Sequence, residues 1–279
     1  MKSVLSATVF LALAVAPVDA ASEFAALTFN IRYGTAKDEG HEWEKRKESV
    51  LAVIRDSSPD VVGLQEALDF QNHFLLDQLA PRYAFVGEGR EGGTRGEYAS
   101  ILYRADRFFL ARAGRFWLSD TPDIAGSMTW ADLPRIVTWV DLIQRDGALR
   151  ILVLNTHFAH NSENARLLSA RLIRDRLKDL APPEIPVMVM GDFNCRPGSP
   201  PHTVLLQEAG LADTQATLSV PPQGTFHGFS GKARDEAPID WVLFRGLAPI
   251  GYKVLTGEFL GQLPSDHYPV FARFAAEGK

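Results

Sequence analysis

The chain has 279 residues, 46% of them hydrophobic and 23% charged, with a formal net charge of −5. That much apolar material supports a sizeable core and excludes a collagen-like, disordered or long coiled-coil chain. Proteins that wrap duplex DNA usually carry a basic face, because phosphate contacts dominate their affinity. The acidic balance therefore argues against long duplex nucleic acid as a partner.

In chain order, the first twenty residues stand apart. Lys2 is followed by an apolar stretch from Val4 to Ala16, and Val18-Asp19-Ala20 resembles a small-residue cleavage site. This reads as a cleavable signal peptide over residues 1–20. It predicts a protein beginning at Ala21 that works in the periplasm or outside the cell. The apolar stretch is too short to span a bilayer and no other segment approaches that length, so no stable membrane insertion is expected. Cys195 is the one cysteine, which precludes an intramolecular disulfide.

Residues 21–279 alternate between strands and helices without a linker, and are expected to form a single domain around one core and a monomer in solution. Short extended runs are predicted at 27–32, 60–65, 99–104, 108–118, 136–144, 149–155, 186–190, 239–244 and 269–274. Apolar residues at helical spacing predict helices over 44–55, 68–80 and 162–181. Pro59 closes the first of these, and Arg145-Asp146-Gly147-Ala148 predicts a hairpin. Loops rich in glycine, proline and charge, 87–96 and 221–238, are expected to rim a site. Many hairpin-linked strands with helices between them point to an α/β sandwich.

Polar residues recur at the ends of the apolar strands. Asn30 ends the first, Glu66 follows Gly63-Leu64-Gln65, and His157 follows Asn155-Thr156. Asp192 and Asn194 lie in Gly-Asp-Phe-Asn, Asp240 opens one strand, and Asp266-His267 precedes the last. One acidic residue at a strand end is commonly a turn former, but six such positions are hard to explain as turn chemistry. Carboxylate and amide oxygens suit a hard divalent cation such as Mg²⁺, which binds one or two carboxylates together with phosphate oxygens. No zinc-spaced Cys/His cluster, phosphate-binding P-loop or serine-nucleophile elbow is present.

The ordered set T-F-N-I-R-Y-G, G-L-Q-E, N-T-H, G-D-F-N, I-D-W-V and S-D-H-Y-P-V, running from Asn30 to Val270, resembles the endonuclease/exonuclease/phosphatase superfamily. The segments G-E-Y-A-S-I-L-Y-R, R-I-V-T-W and G-D-F-N-C-R-P-G-S are closest to its deadenylase-like and small secreted bacterial branch. The resemblance implies a four-layer α/β sandwich, two packed mixed sheets flanked by helices, with the site at the sheet edges. It implies that Glu66, Asn30 and Asp266 hold Mg²⁺, with Mn²⁺ able to substitute. It further implies that Asp192 activates a water beside Asn194, that Asp240 orients His267, and that His157 contacts phosphate. Arg135 and Glu97 are candidates for binding substrate. Trp43 and Trp130, in polar surroundings, are read as loop anchors or stacking surfaces, and His160 as a rim residue.

The resulting expectation is an exported hydrolase of a phosphate ester, chiefly a phosphodiester. The alternatives are a nuclease for short or single-stranded nucleic acid and a non-catalytic binding module on the same fold.

Overall fold

A computed structural model describes residues 23–147 and 149–275. The predicted signal peptide and Ala148 of the predicted hairpin lie outside them. In chain order the strands are β1 (Glu23–Asn30), β2 (Val61–Ala67), β3 (Tyr83–Val86), β4 (Tyr98–Arg104), β5 (Phe108–Trp117) and β6 (Ile136–Gln144). They continue with β7 (Arg150–His157), β8 (Val187–Asp192), β9 (Ala212–Asp213), β10 (Asp240–Arg245), β11 (Ala248–Val254) and β12 (Val270–Ala275). The long helices are α1 (Trp43–Ser57), α2 (Asp69–Leu79) and α3 (Glu163–Leu180).

The strands form two mixed sheets of six, ordered β11-β12-β1-β2-β4-β3 and β5-β6-β7-β8-β10-β9. β1 and β2 run parallel, as do β7 and β8, while the other pairings are antiparallel. Phe24, Ile101, Val140, Val153, Met190, Val242 and Phe274 fill the layer between the sheets. Val50, Leu51 and Ile54 of α1 and Leu75 of α2 cover the outer face of the first sheet. Ala170, Ile173 and Leu177 of α3 cover the second. The result is four layers, helix–sheet–sheet–helix.

Local chemistry accounts for the element ends. Ser162 caps α3, its side chain accepting from the Ala165 N–H at 3.1 Å. α1 stops where Ser58 takes a left-handed φ of 45° ahead of Pro59. The first strand ends at Asn30, not at residue 32 as predicted, because Arg32 has φ 55°. Trp43 is the first residue of α1 and not a loop residue; it is buried edge-on to Phe74, an anchor with no face free for stacking. No helix among the described residues is long and apolar enough to cross a membrane.

Candidate active site

Strand alternation delivers most of the site. Side chains two apart share a face, so each row that fills the space between the sheets must end on the same face. Phe24 and Ala26 lead to Asn30, Ile151 and Val153 to His157, and Met188 and Met190 to Asp192. Phe244 and Val242 lead back to Asp240. Beneath them lies a polar layer in which Gln65 Nε2 donates to Asn155 Oδ1 at 2.6 Å and to Thr28 Oγ1 at 3.0 Å. Gly63 makes room for it, since a Cβ there would sit 2.7 Å from Asn155 Oδ1.

Glu66 breaks the alternation. After Gln65 its side chain should face the helices, but the β2–β4 register shifts between Gln65 and Ala67, and Glu66 takes φ 61°. A left-handed non-glycine residue in a bulge is strained and re-aims a side chain. Here the bulge turns the carboxylate to the rim, where Oε1 accepts from Asn30 Nδ2 at 3.0 Å and Oε2 from the Tyr33 N–H at 3.2 Å.

Asp240 Oδ2 lies 2.9 Å from His267 Nδ1, and His267 Nε2 lies 3.8 Å from Asp192 Oδ2. The resemblance places the strands beside Asp240 and His267 in one sheet. They belong to different sheets, β10 in the second and β12 in the first, so the pair spans the sandwich. Burial alone would lower the His267 pKa, but the carboxylates of Asp240 and Asp192 outweigh it and raise the value. Burial and the charge of Asp240 push Asp192 upward. His157 Nε2 is 3.4 Å from Asp192 Oδ2. Burial, then Arg135 and Arg90, hold His157 well below the ordinary histidine value, so it is neutral.

Asn194 takes φ 49°, and its backbone N–H donates to Asp192 Oδ1 at 2.9 Å. Its side-chain nitrogen donates to the Phe158 carbonyl at 3.0 Å, so Asn194 pins Asp192 while it lines the cavity.

Asn30 Nδ2 donates to Glu66 and also to Asp192 Oδ2 at 3.0 Å, bridging two carboxylates. Asp266 Oδ2 faces Arg32 Nε at 3.7 Å, and Arg32 Nη1 lies 4.0 Å from Glu66 Oε2. An amide and a guanidinium thus stand between three carboxylates, a set of hard oxygen donors suited to a divalent cation. Asp192, Asp240 and His267, with ligand atoms within 4.8 Å of one another, form a second group that could bind one. The engagement of His267 Nδ1 with Asp240 favours the Glu66 side. Arg46, in the most basic run of the sequence, is no surface charge. It is 1% exposed and donates to the Ile31, Arg32 and Pro264 carbonyls, bracing the segments that carry Asn30 and Asp266.

Glu66, His157, Asp192, Asn194, Asp266 and His267 border a cavity of about 540 Å³. Arg135 and Glu97 lie in its wall, as does His160, which meets Arg135 Nη2 at 3.2 Å. Arg32, Arg90, Tyr33 and Phe226 also line it and were not anticipated as site residues. Arg32 had a signal, standing two residues after Asn30 with a bidentate partner, Asp38, six residues on. Arg90 had none, since its position depends on the fold of a glycine-rich loop. Trp130 is half-buried against the outer core of the second sheet. His202 is a core residue paired with Asp213 at 3.0 Å, and Cys195 is half-buried against the same core.

The fold is shared with known proteins. A solved endonuclease/exonuclease/phosphatase protein from Bacteroides vulgatus is 32% identical, covering 92% of this chain and 100% of that one, with a TM-score of 0.84. A Bacteroides thetaiotaomicron structure described as a mannosyl-6-phosphatase is 28% identical, covering 90% of this chain and 99% of that one, with a TM-score of 0.82. An uncharacterized protein of Acanthamoeba polyphaga mimivirus is 24% identical over 162 residues, 55% of this chain and 60% of that protein. The chain spans less than two thirds of the length of the curated relatives it matches. The profile of the Endonuclease/Exonuclease/phosphatase family matches residues 27–267, and the chain belongs to that family.

Proposed function

We propose that the protein is an exported, divalent-metal-dependent hydrolase of small phosphate esters. The observation that carries this is the meeting, at one end of the sandwich, of hard oxygen donors with the Asp240–His267–Asp192 row. Glu66 and Asp266 would hold Mg²⁺ through carboxylate oxygens and Asn30 through Oδ1, which here accepts from the Arg32 N–H, with Mn²⁺ able to substitute. When bound, the metal neutralises charge on the phosphate and polarises its oxygens.

The protein groups supply the rest. Asp192, its Oδ1 held by the Asn194 N–H, takes a proton from the attacking water through Oδ2. His267, kept charged and oriented by Asp240, donates from Nε2 to a phosphoryl oxygen. His157, neutral, lies 3.4 Å from Asp192 Oδ2 and faces the cavity beside it. Arg135 faces the phosphate, and Glu97 orients Arg90 beside it at 2.7 Å. Tyr33, Leu133, Phe226 and Ile239 give the alcohol an apolar surface to pack on.

This chemistry is common to phosphodiesters, the class the sequence predicts, and phosphomonoesters. The likeness to a structure described as a mannosyl-6-phosphatase supports a small, sugar-like alcohol. The test is release of product from sugar phosphates, aryl phosphates and short oligonucleotides with Mg²⁺ or Mn²⁺. Turnover of a small ester that stops in excess chelator supports the proposal, whereas no turnover of any ester with either metal rejects it.

A further inference from the structure

Arg90 and Arg135 take no part in the proton transfers, yet the fold buries both. Arg90 is 8% exposed and Arg135 6%. Among the described residues Glu97 is the carboxylate hydrogen-bonded to the pair, accepting from Arg90 Nη1 at 2.7 Å, while Arg135 Nη2 meets His160 Nδ1 at 3.2 Å. Nε of Arg90, and Nε and Nη1 of Arg135, have no hydrogen-bond partner in the protein. One hydrogen-bonded carboxylate serves two guanidiniums, and three of their buried nitrogens lack acceptors.

The pair is built rigidly. The Arg90 N–H donates to the Glu97 carbonyl at 2.9 Å across a tight loop, and Trp117 Nε1 donates to the Arg90 carbonyl at 2.6 Å. The Arg135 carbonyl accepts from the Leu118 N–H at 2.8 Å. Both arginines border His157, which is 3.4 Å from Asp192, so the pair adjoins the reacting centre.

We propose that Arg90 and Arg135 recognise the unesterified oxygens of a terminal phosphate, so that the enzyme hydrolyses phosphomonoesters in preference to phosphodiesters. This rests on the phosphoesterase reading and narrows its substrate, against the expectation from sequence of a diester. A monoester dianion offers three non-bridging oxygens and two charges, and a diester two oxygens and one charge. Esterifying an oxygen that faces the pair sets carbon against buried N–H groups and leaves them unpaired, a penalty far larger than that of an added methylene elsewhere. In the reaction, water adds to phosphorus and the P–O bond to the alcohol breaks, its electron pair staying on the alcohol oxygen. That oxygen takes up the proton the water has lost, giving free alcohol and inorganic phosphate.

The experiment compares p-nitrophenyl phosphate with its methyl ester, methyl p-nitrophenyl phosphate, at saturating Mg²⁺ in wild type, Arg90→Gln and Arg135→Gln. The expected wild-type kcat/KM is roughly 100-fold higher for the monoester. Each variant should lower the monoester value by on the order of 100-fold and the diester value by clearly less, on the order of tenfold. A wild-type preference for the diester, or equal losses on both esters, overturns the proposal and leaves phosphoesterase activity standing. Hydrolysis of neither ester refutes the underlying function instead. Should a variant fail to fold, inhibition of the wild type by inorganic phosphate and dimethyl phosphate decides. Phosphate should inhibit competitively at concentrations roughly 100-fold lower, and equal potency refutes the selection.

Discussion

Replacing Asp240 by Asn exchanges one carboxylate oxygen for an amide nitrogen and leaves the shape of the side chain intact. In the wild type Asp240 is 1% exposed, and its Oδ2 holds His267 Nδ1 at 2.9 Å. The amide carries no charge to keep His267 protonated and can present an N–H to Nδ1, favouring the wrong tautomer. In a serine-protease triad the equivalent exchange lowers kcat by about 10⁴. The same order is expected here, about 5.4 kcal/mol in the barrier. His267→Ala should cost as much, and the double variant should be within about threefold of the worse single, because the two residues act as one unit. Stability should not fall, since Asp240 Oδ1 has no partner and its charge opposes ionisation of Asp192. The assay is a double-mutant cycle of kcat with a melting curve for each variant. Losses that multiply, or an Asp240→Asn protein that melts well below wild type, would refute the coupling.

Two other outcomes are expected. His227 is fully buried against the Tyr268 ring with neither ring nitrogen paired, and burial, then His267, lowers its pKa to about 4. The unfolded chain, with its histidine near 6.5, binds the proton first, so folding stability should drop by ~3 kcal/mol as the pH falls from about 6.5 to 4. Urea unfolding across that range should show this slope in wild type and a shallower one in His227→Phe, and equal slopes would contradict it. Mass spectrometry of protein from its native host should find an N-terminus at or near Ala21, and an intact Met1 on cytoplasmic protein would end the export proposal.

What was legible in the sequence follows period-2 and period-3.6 patterning. The rows ending in Asn30, His157, Asp192 and Asp240 are alternating strands, and the helices at 44–55, 68–80 and 162–181 lie over α1, α2 and α3. Local propensity misses β3, only four residues long, and β11, whose Pro249 and Gly251 weaken a strand pattern. Glu66 was reached from its place at a strand end and from its motif, whereas alternation points it to the wrong face and only the bulge corrects it. That Asp240 and His267 meet from opposite sheets is a matter of sheet packing, which no local pattern encodes. Arg90 was missed for a related reason. A charge in a glycine-rich loop looks solvated until the fold sets Glu97, Trp117 and Arg135 around it.

The central claim, a hard-metal phosphoesterase centred on Glu66, is tested most directly by turnover of one small phosphate ester in wild type and Glu66→Gln. Each protein is assayed first in excess chelator and then across a Mg²⁺ titration. Wild type should be inactive in chelator and recover with Mg²⁺. Glu66→Gln, equally folded, should need far more metal and remain at least ~100-fold slower at saturation. Full wild-type activity in excess chelator, or an unimpaired Glu66→Gln, would contradict the account.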